Sequence, residues 1–391
     1  MTEDDFMGNV YQRFPVTIEK GLGSHVWDIN GKEYIDCMGG YGVAIVGHRN
    51  PRVVKAIQAQ LEKIITVHSS FYNKTREEFL ENLIKIAPKG LTQVHLNNSG
   101  TEAVEAAIKF ARKFTGKKGM VAMNGSYHGK SLGSLSVTFN PKYRKSFEPL
   151  VEKVSFSPFG DIEALRSTVN SDTAFIIVEP IQGESGIHVA PDGFLQEVRK
   201  LCDENGILLI FDEIQSGLGR TGKMWAGQHW NTTPDIMCLA KGIAGGVPMG
   251  ATLVRPDILA SISKGEHSST FGGNPLSCAA GIGTIQALTQ DGLVENAARV
   301  GKILMDGIES LKERHKIIRE IRGKGLMIGV EIKFEVKDIL LDGIANGLLL
   351  LYSGRNILRF LPPVVISESD VTKALEILDI LLEKEEKRRN V

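Results

Sequence analysis

Cysteine is scarce: the four in 391 residues, Cys37, Cys202, Cys238 and Cys278, stand far apart with no Cys-x-x-Cys pair. That spacing argues against structural zinc and against a disulfide framework. The nine histidines contain no His-Glu-x-x-His pattern, so no metal is expected. Net charge is absent too, because 46 Lys and Arg balance 46 Asp and Glu. Nothing global therefore attracts nucleic acid. No apolar run approaches the roughly 18 residues that span a membrane. Met1-Thr2-Glu3-Asp4-Asp5-Phe6 is acidic where a signal peptide would be basic, and the expectation is a cytoplasmic protein.

What the chain does have is 42% apolar residues and a length that suggests one large domain with a smaller one. Ile207-Leu208-Leu209-Ile210-Phe211 reads as a strand buried on both faces and ends at Asp212-Glu213. In an open α/β sheet, ligands bind beyond the carboxyl ends of strands, so an acid there is placed for chemistry. A second such run, Asp235 to Ala240, delivers Lys241 and Gly242. Burying an ammonium is costly and depresses its pKa, which frees the amine as a nucleophile. Such an amine can form a Schiff base with an aldehyde, and a nearby Asp is the partner a pyridinium nitrogen requires. The pairing suggests pyridoxal 5′-phosphate, although these two residues alone would equally make a buried ion pair.

Phe211-Asp212-Glu213-Ile214-Gln215-Ser216-Gly217, Gly219-Arg220-Thr221-Gly222 and Ala240-Lys241-Gly242 resemble the signature of class III, ornithine-type aminotransferases. Ser99-Gly100-Thr101-Glu102-Ala103, Glu179-Pro180-Ile181-Gln182-Gly183-Glu184 and Thr270-Phe271-Gly272-Gly273-Asn274-Pro275 match the same family in the same order, from about Tyr11 to Ile366. The resemblance implies an α/β, fold type I pyridoxal-phosphate transferase with a large, mostly parallel-sheet domain and a smaller α+β domain. The expected division is an N-terminal segment, 1–48, joining the small domain; a large cofactor-binding domain, 49–292; and a C-terminal small domain, 293–391.

Along the chain, Val26 to Asp36 reads as a hairpin with a type I′ turn at Asn30-Gly31. Tyr41 lies in a glycine-rich loop that the resemblance places over the active site, where it touches substrate or merely packs. Pro51 to Ile65 has helical spacing with Pro51 at its start. Ser99 reads as the N-cap of a helix through Ala103, Ala106, Ala107, Phe110 and Ala111. The free amides at Gly100 and Thr101 then make an anion site suited to phosphate. Tyr127 is implied to stack on the cofactor ring, with His128 beside it as ligand or core histidine. At Lys130 relatives commonly carry Arg for a substrate carboxylate; Lys keeps the charge and loses the bidentate fork.

The resemblance further implies that Lys241 and Asp212 are catalytic and that Glu213, Ile214 and Gln215 belong to the cofactor site. It pairs Glu184 with Arg359 as a substrate switch: paired, they admit a basic or N-blocked side chain; apart, Arg359 takes the α-carboxylate of glutamate. Thr270 would be a phosphate ligand given by the other subunit of a homodimer, with Ser269 near the substrate. Pro275 to Gln290 and Val294 to Lys312 read as helices, Gly323 to Ile332 as the main strand of the small domain, and Val336–Ala345 and Glu368–Lys384 as its covering helices. The run Glu383 to Arg389 reads as a solvated helix end.

More particular stretches, Ile35 to Ala44, Gly133 to Thr138 and Pro141 to Glu152, resemble the aminotransferases of carrier-linked lysine and ornithine biosynthesis, whose substrate hangs from the small acidic protein LysW. Lys142, Arg144 and Lys145 beside Lys130 form a candidate docking patch for such a carrier. The expected reaction exchanges an amino group between LysW-linked semialdehyde or amine and glutamate or 2-oxoglutarate. N-acetylornithine or ornithine as free substrates is the alternative. A glutamate-semialdehyde type of aminomutase is a third, distinguished by having no need for 2-oxoglutarate.

Overall fold

A computed structural model of the chain describes residues 3–391, so Met1 and Thr2 of the acidic N-terminus lie outside the described residues. Its centre is a seven-stranded sheet in the order Gln93–Asn97, Gly250–Val254, Ile236–Leu239, Leu208–Asp212, Thr173–Val178, Gly119–Met123, Val154–Ser157. Gly250–Val254 runs against both neighbours; the other strands are parallel. The central strands are buried along their whole length, as expected of a sheet covered on both faces. Six parallel strands therefore end on one edge, and five of them supply the site. They deliver Asn98, Tyr127, Glu179, Asp212 and Lys241 to a common crevice.

The helix Gly100–Thr115 lies against this sheet through Ala103, Ala106, Ala107 and Ala111, all fully buried. Alanines at that spacing bring the backbones close, and the Thr252 hydroxyl donates to the Ala103 carbonyl at 2.9 Å. Ser99 caps the helix by accepting from the Glu102 amide, and Gly116 ends it at φ 69°. The helix Pro275–Gln290 packs on Pro51–Leu61 and Lys74–Ile86; a side chain at Gly281 would meet the Phe79 ring at 2.4 Å.

A second, antiparallel sheet has the order Ile318–Lys324, Met327–Ile332, Ile357–Phe360, Leu351–Ser353. The helices Leu293–Arg314 and Glu368–Arg389 pack together beside it. A third sheet joins the N-terminal strands Ile18–Leu22, His25–Asp28 and Glu33–Asp36 to Leu348–Leu349. None of the helices described is long and apolar enough to cross a membrane.

Three local expectations are corrected. Gly323 to Ile332 is a tight hairpin rather than one strand, because Gly325, at φ 56°, turns the chain so that Lys324 faces Met327. At Asn30-Gly31 only Gly31 has positive φ, so the turn is not type I′. Asp28 organises it instead, accepting from the amides of Asn30 and Lys32. The C-terminal charge run is a solvated helix end at Glu383, Lys384 and Lys387 to Arg389, but not at Glu385, which is fully buried against Arg388 and Arg389, and Arg388 also reaches Asp342.

Candidate active site

The crevice holds a cavity of about 520 Å³. Asp212, last residue of its strand, is buried; one carboxylate oxygen faces His128 Nδ1 at 2.8 Å and the other accepts from the Ile214 amide at 3.0 Å. With Nδ1 bound to the acid, the buried His128 Nε2 has no partner among the described residues. Lys241 opens the short turn Lys241–Ala244 in the left-handed region, at φ 47°, and makes no hydrogen bond or ion pair among the described residues. Burial lowers its pKa, reinforced by Arg359 and opposed by Glu184, Asp212 and Glu179.

Glu184 lines the same cavity and is paired directly with Arg359 behind it. The guanidinium donates Nη1 to Glu184 Oε1 at 2.9 Å and Nη2 to Oε2 at 3.3 Å, and Gln215 Nε2 adds a bond of 3.1 Å to Oε1. Burial alone would raise the Glu184 carboxyl; Arg359 and then Lys241 overcome it and hold the pKa at about 2. Gln215 Oε1 remains buried without a donor.

At the other end, the amides of Gly100 and Thr101 begin the helix, where no intrahelical acceptor exists for them. The Thr101 hydroxyl lies 3.0 Å from Ser131 Oγ and 2.5 Å from Ser134 Oγ. Gly129 passes so close that a Cβ there would sit 2.5 Å from Thr101 Oγ1. Tyr127 lines the cavity, its ring set edge-on to Tyr143 at 5.7 Å, and burial raises its pKa to about 12.

The structure thus brings Ser99, Gly100, Thr101, Tyr127, His128, Lys130, Glu184, Asp212, Ile214, Gln215 and Lys241 to one cavity, with Arg359 bound to Glu184. It does not bring Glu213 there: both its oxygens accept backbone amides, Ala226 at 2.7 Å and Gly227 at 2.8 Å, and burial raises it to about 7. Ser269 touches the cavity residue Asn98 at 3.2 Å, whereas Thr270 is exposed and away from the cavity of its own chain. Tyr41 does not line the cavity; it is partly exposed, at φ 61°, with Tyr352, Arg359 and Glu184 among its electrostatic neighbours. Lys130 sits at the mouth, its ammonium 5.2 Å from the centre of the Tyr143 ring.

Sequence reasoning missed Glu179 and Asn98 as site residues. Glu179 carried a signal, since it follows a buried strand as Asp212 ends one. It accepts the amides of Tyr127 and Gly183, each at 3.0 Å, and burial raises its pKa to about 7.

The residues present fit pyridoxal phosphate. Free helix amides with a hydroxyl cluster suit a phosphate, a desolvated amine suits an aldehyde, and a buried acid suits a pyridinium nitrogen. Comparison with known proteins agrees. Residues 6–382 match the family described as Aminotransferase class-III. An acetylornithine aminotransferase of Methanopyrus kandleri is 45% identical over 381 residues, 97% of either chain. A [LysW]-aminoadipate semialdehyde/glutamate semialdehyde transaminase of Sulfurisphaera tokodaii is 44% identical over 359 residues, 92% of each. Among solved structures, an ornithine aminotransferase of Toxoplasma gondii, described with partial occupancy of PLP at its active site, superposes with a TM-score of 0.94 at 31% identity, over 99% of this chain and 94% of that one. With its mostly parallel sheet of fold type I and the lysine, acid and anion cradle at the sheet's carboxyl edge, this chain belongs to the class III aminotransferases, enzymes that use pyridoxal phosphate to transfer amino groups.

Proposed function

We propose that the enzyme exchanges an amino group between the terminal carbon of a carrier-linked lysine or ornithine precursor and glutamate or 2-oxoglutarate. The observation that carries the transfer is an unpartnered, desolvated Lys241 amine in one cavity with Asp212 and with the Glu184–Arg359 pair. When bound, pyridoxal phosphate supplies an aldehyde for the amino group and a ring that draws electrons from the substrate carbon. Lys241 Nζ would take the proton from that carbon and deliver it to the carbon of the cofactor's aldehyde group, a role worth roughly 10² to 10⁴ in rate. Asp212, oriented by His128 and the Ile214 amide, holds a negative charge for the ring nitrogen. Ser99, Gly100 and Thr101 would hold the phosphate, Tyr127 and Ile214 would flank the ring, and Gln215 would hydrogen-bond its polar edge.

Glu184 neutralises Arg359 while an amine substrate is present and releases it for the α-carboxylate of glutamate. Lys130 takes the carboxylate of the amine substrate, with Tyr41 and Ser269 closing the mouth. In this reading the enzyme is a cytoplasmic homodimer, and Thr270 reaches the phosphate of the second subunit. The same reading divides the domains at residues 48 and 292, and the parallel pairing of Leu348–Leu349 with Ile35–Asp36 supports grouping the first segment with the last.

The carrier is supported by charge. Lys130, Lys142, Arg144 and Lys145 join no ion pair among the described residues; Arg144 lies 4.7 Å from the Phe156 ring centre instead. Unpaired cations beside the mouth suit an acidic protein. The Sulfurisphaera relative supports the same substrate, and the Methanopyrus relative supports a second reading, free N-acetylornithine. The test is kcat/KM for LysW-linked lysine and ornithine semialdehydes against N-acetylornithine. A preference above about tenfold, roughly 1.4 kcal/mol, upholds the carrier; none, or the reverse, returns the enzyme to free substrates.

A further inference from the structure

We propose that Arg322 is a positioning residue for substrate choice: with the notch at Gly329 it clamps the backbone of the Glu184 loop to the small sheet, so that the Glu184 side chain alone opens and closes Arg359. The inference rests on the reading of Glu184 and Arg359 as a gate.

Glu184 sits at the tip of the hairpin formed by Ile181–Gln182 and His188–Val189. Three carbonyls of this tip are each held by a side chain of the antiparallel sheet. Arg359 Nη1 donates to Gly183 O at 3.0 Å, Ser353 Oγ to Glu184 O, and Arg322 Nε to Gly186 O at 2.7 Å. The register explains how they converge. Arg322 lies opposite Gly329, Gly329 opposite Arg359, and Arg359 opposite Leu351, so the four form one row across the sheet. Residues directly opposite in antiparallel strands share a face, and Ser353, two beyond Leu351, shares it too. Two guanidinium groups thus flank a position with no side chain. The hairpin tip enters there: a Cβ at Gly329 would lie 2.9 Å from Gly186 O, and one at Gly186 would lie 2.4 Å from Ile357 Cδ1.

Arg359 does not depend on Glu184 for its place, because Nε also donates to Tyr352 O at 3.1 Å. Arg322 is fixed in turn by Glu320 at 2.8 Å and Glu331 at 3.2 Å. When the Glu184 carboxylate leaves, both the guanidinium and the loop remain where they are. Without Arg322 the tip keeps only its bonds to Arg359 and Ser353 and loses its hold at Gly186, so Glu184 meets Arg359 in a looser geometry.

The test uses the holoenzyme carrying Arg322→Met, with Arg322→Lys and Glu184→Ala beside it. Amide hydrogen exchange across Ile181 to Val189 should quicken by about tenfold or more, while Leu208 to Asp212 stays unchanged. In separate half-reactions, KM for the amine substrate should rise about five- to tenfold and KM for glutamate stay within about twofold. Arg322→Lys should recover part of both effects, and Arg322→Met should add nothing in a Glu184→Ala background. Unchanged exchange overturns the clamp, and faster exchange with equal losses in the two halves overturns its role in substrate choice. If Arg322→Met does not fold, Gly329→Ala, which pushes on Gly186 O directly, is held to the same outcomes. Should Glu184→Ala alone fail to separate the half-reactions, the gate fails, and the exchange result still decides whether the loop is clamped.

Discussion

Glu179 and Glu184 lie five residues apart at the edge of the same cavity, and their surroundings push them in opposite directions. Glu179 accepts hydrogen bonds only from backbone amides, and burial, opposed by His128 and helped by Asp212, raises it to about 7; Glu184 is met by a guanidinium and falls to about 2. Depth is not the difference, since burial is the largest influence on both. The carriers are. Glu179 follows a strand of the large sheet, whose ends leave the Lys241 amine and His128 Nε2 unsatisfied, whereas Glu184 is held by Arg359 and Ser353 of the small sheet, with Gln215 adding one bond. The amine that transfers the proton is kept unpartnered, and the group that selects is kept paired.

If that division is right, damage at the large sheet's edge should strike both halves of the reaction, and damage at the small sheet only one. Lys241→Ala should lower both half-reactions together by at least about 10² to 10⁴, measured by rapid mixing with each substrate; sparing either half would break the division. Arg359→Met should cost about 100-fold in kcat/KM for glutamate, in line with roughly 3 kcal/mol for a charged hydrogen bond, and leave the amine half nearly intact.

The two acids also make opposite demands on pH. Glu179 moves from an ordinary 4.5 to about 7, so between those values the folded protein keeps a proton that the unfolded chain has released, and stability falls as pH rises through that window. Glu184 moves from 4.5 to about 2, so its contribution is present above pH 4.5 and is lost as pH falls towards 2. Glu179→Gln should therefore flatten the decline in thermal stability between pH 4.5 and 7, an effect of about 1 to 3 kcal/mol. An unaltered profile would mean that Glu179 shares the environment of Glu184 after all. The smallest effect belongs to the rim. Lys142→Glu with Arg144→Glu should raise KM for a carrier-linked substrate a few-fold, as roughly 0.2 to 1 kcal/mol per exposed charge allows, and spare free amines; equal changes would remove the docking patch.

The sequence was most legible where chemistry coincides with a local pattern. Apolar strands ending in Asp212 and Lys241, a capped alanine-rich helix after Ser99 and the family's motifs all announced themselves within a few residues. Glu213 misled because the motif was taken as a contiguous block, although successive residues leaving a strand turn to opposite sides. Asp212 consequently faces the cavity while Glu213 faces the turn Ala226–Trp230. Glu179 was named as the start of a motif and not as part of the site, since which strand ends share a crevice depends on strand order. The row from Arg322 to Arg359 was invisible for a similar reason. It exists only through the register of three strands, and the hairpin that begins it was read as one strand.

Lys241 holds a left-handed backbone, at φ 47°, that a glycine would adopt freely and a lysine resists by about 1 kcal/mol. Its amine is also lodged where burial disfavours its charge. Judged as a component of the fold, it is the wrong residue at that position. Lys241→Gly should thus melt at a higher temperature than the parent in the cofactor-free state while losing transfer altogether.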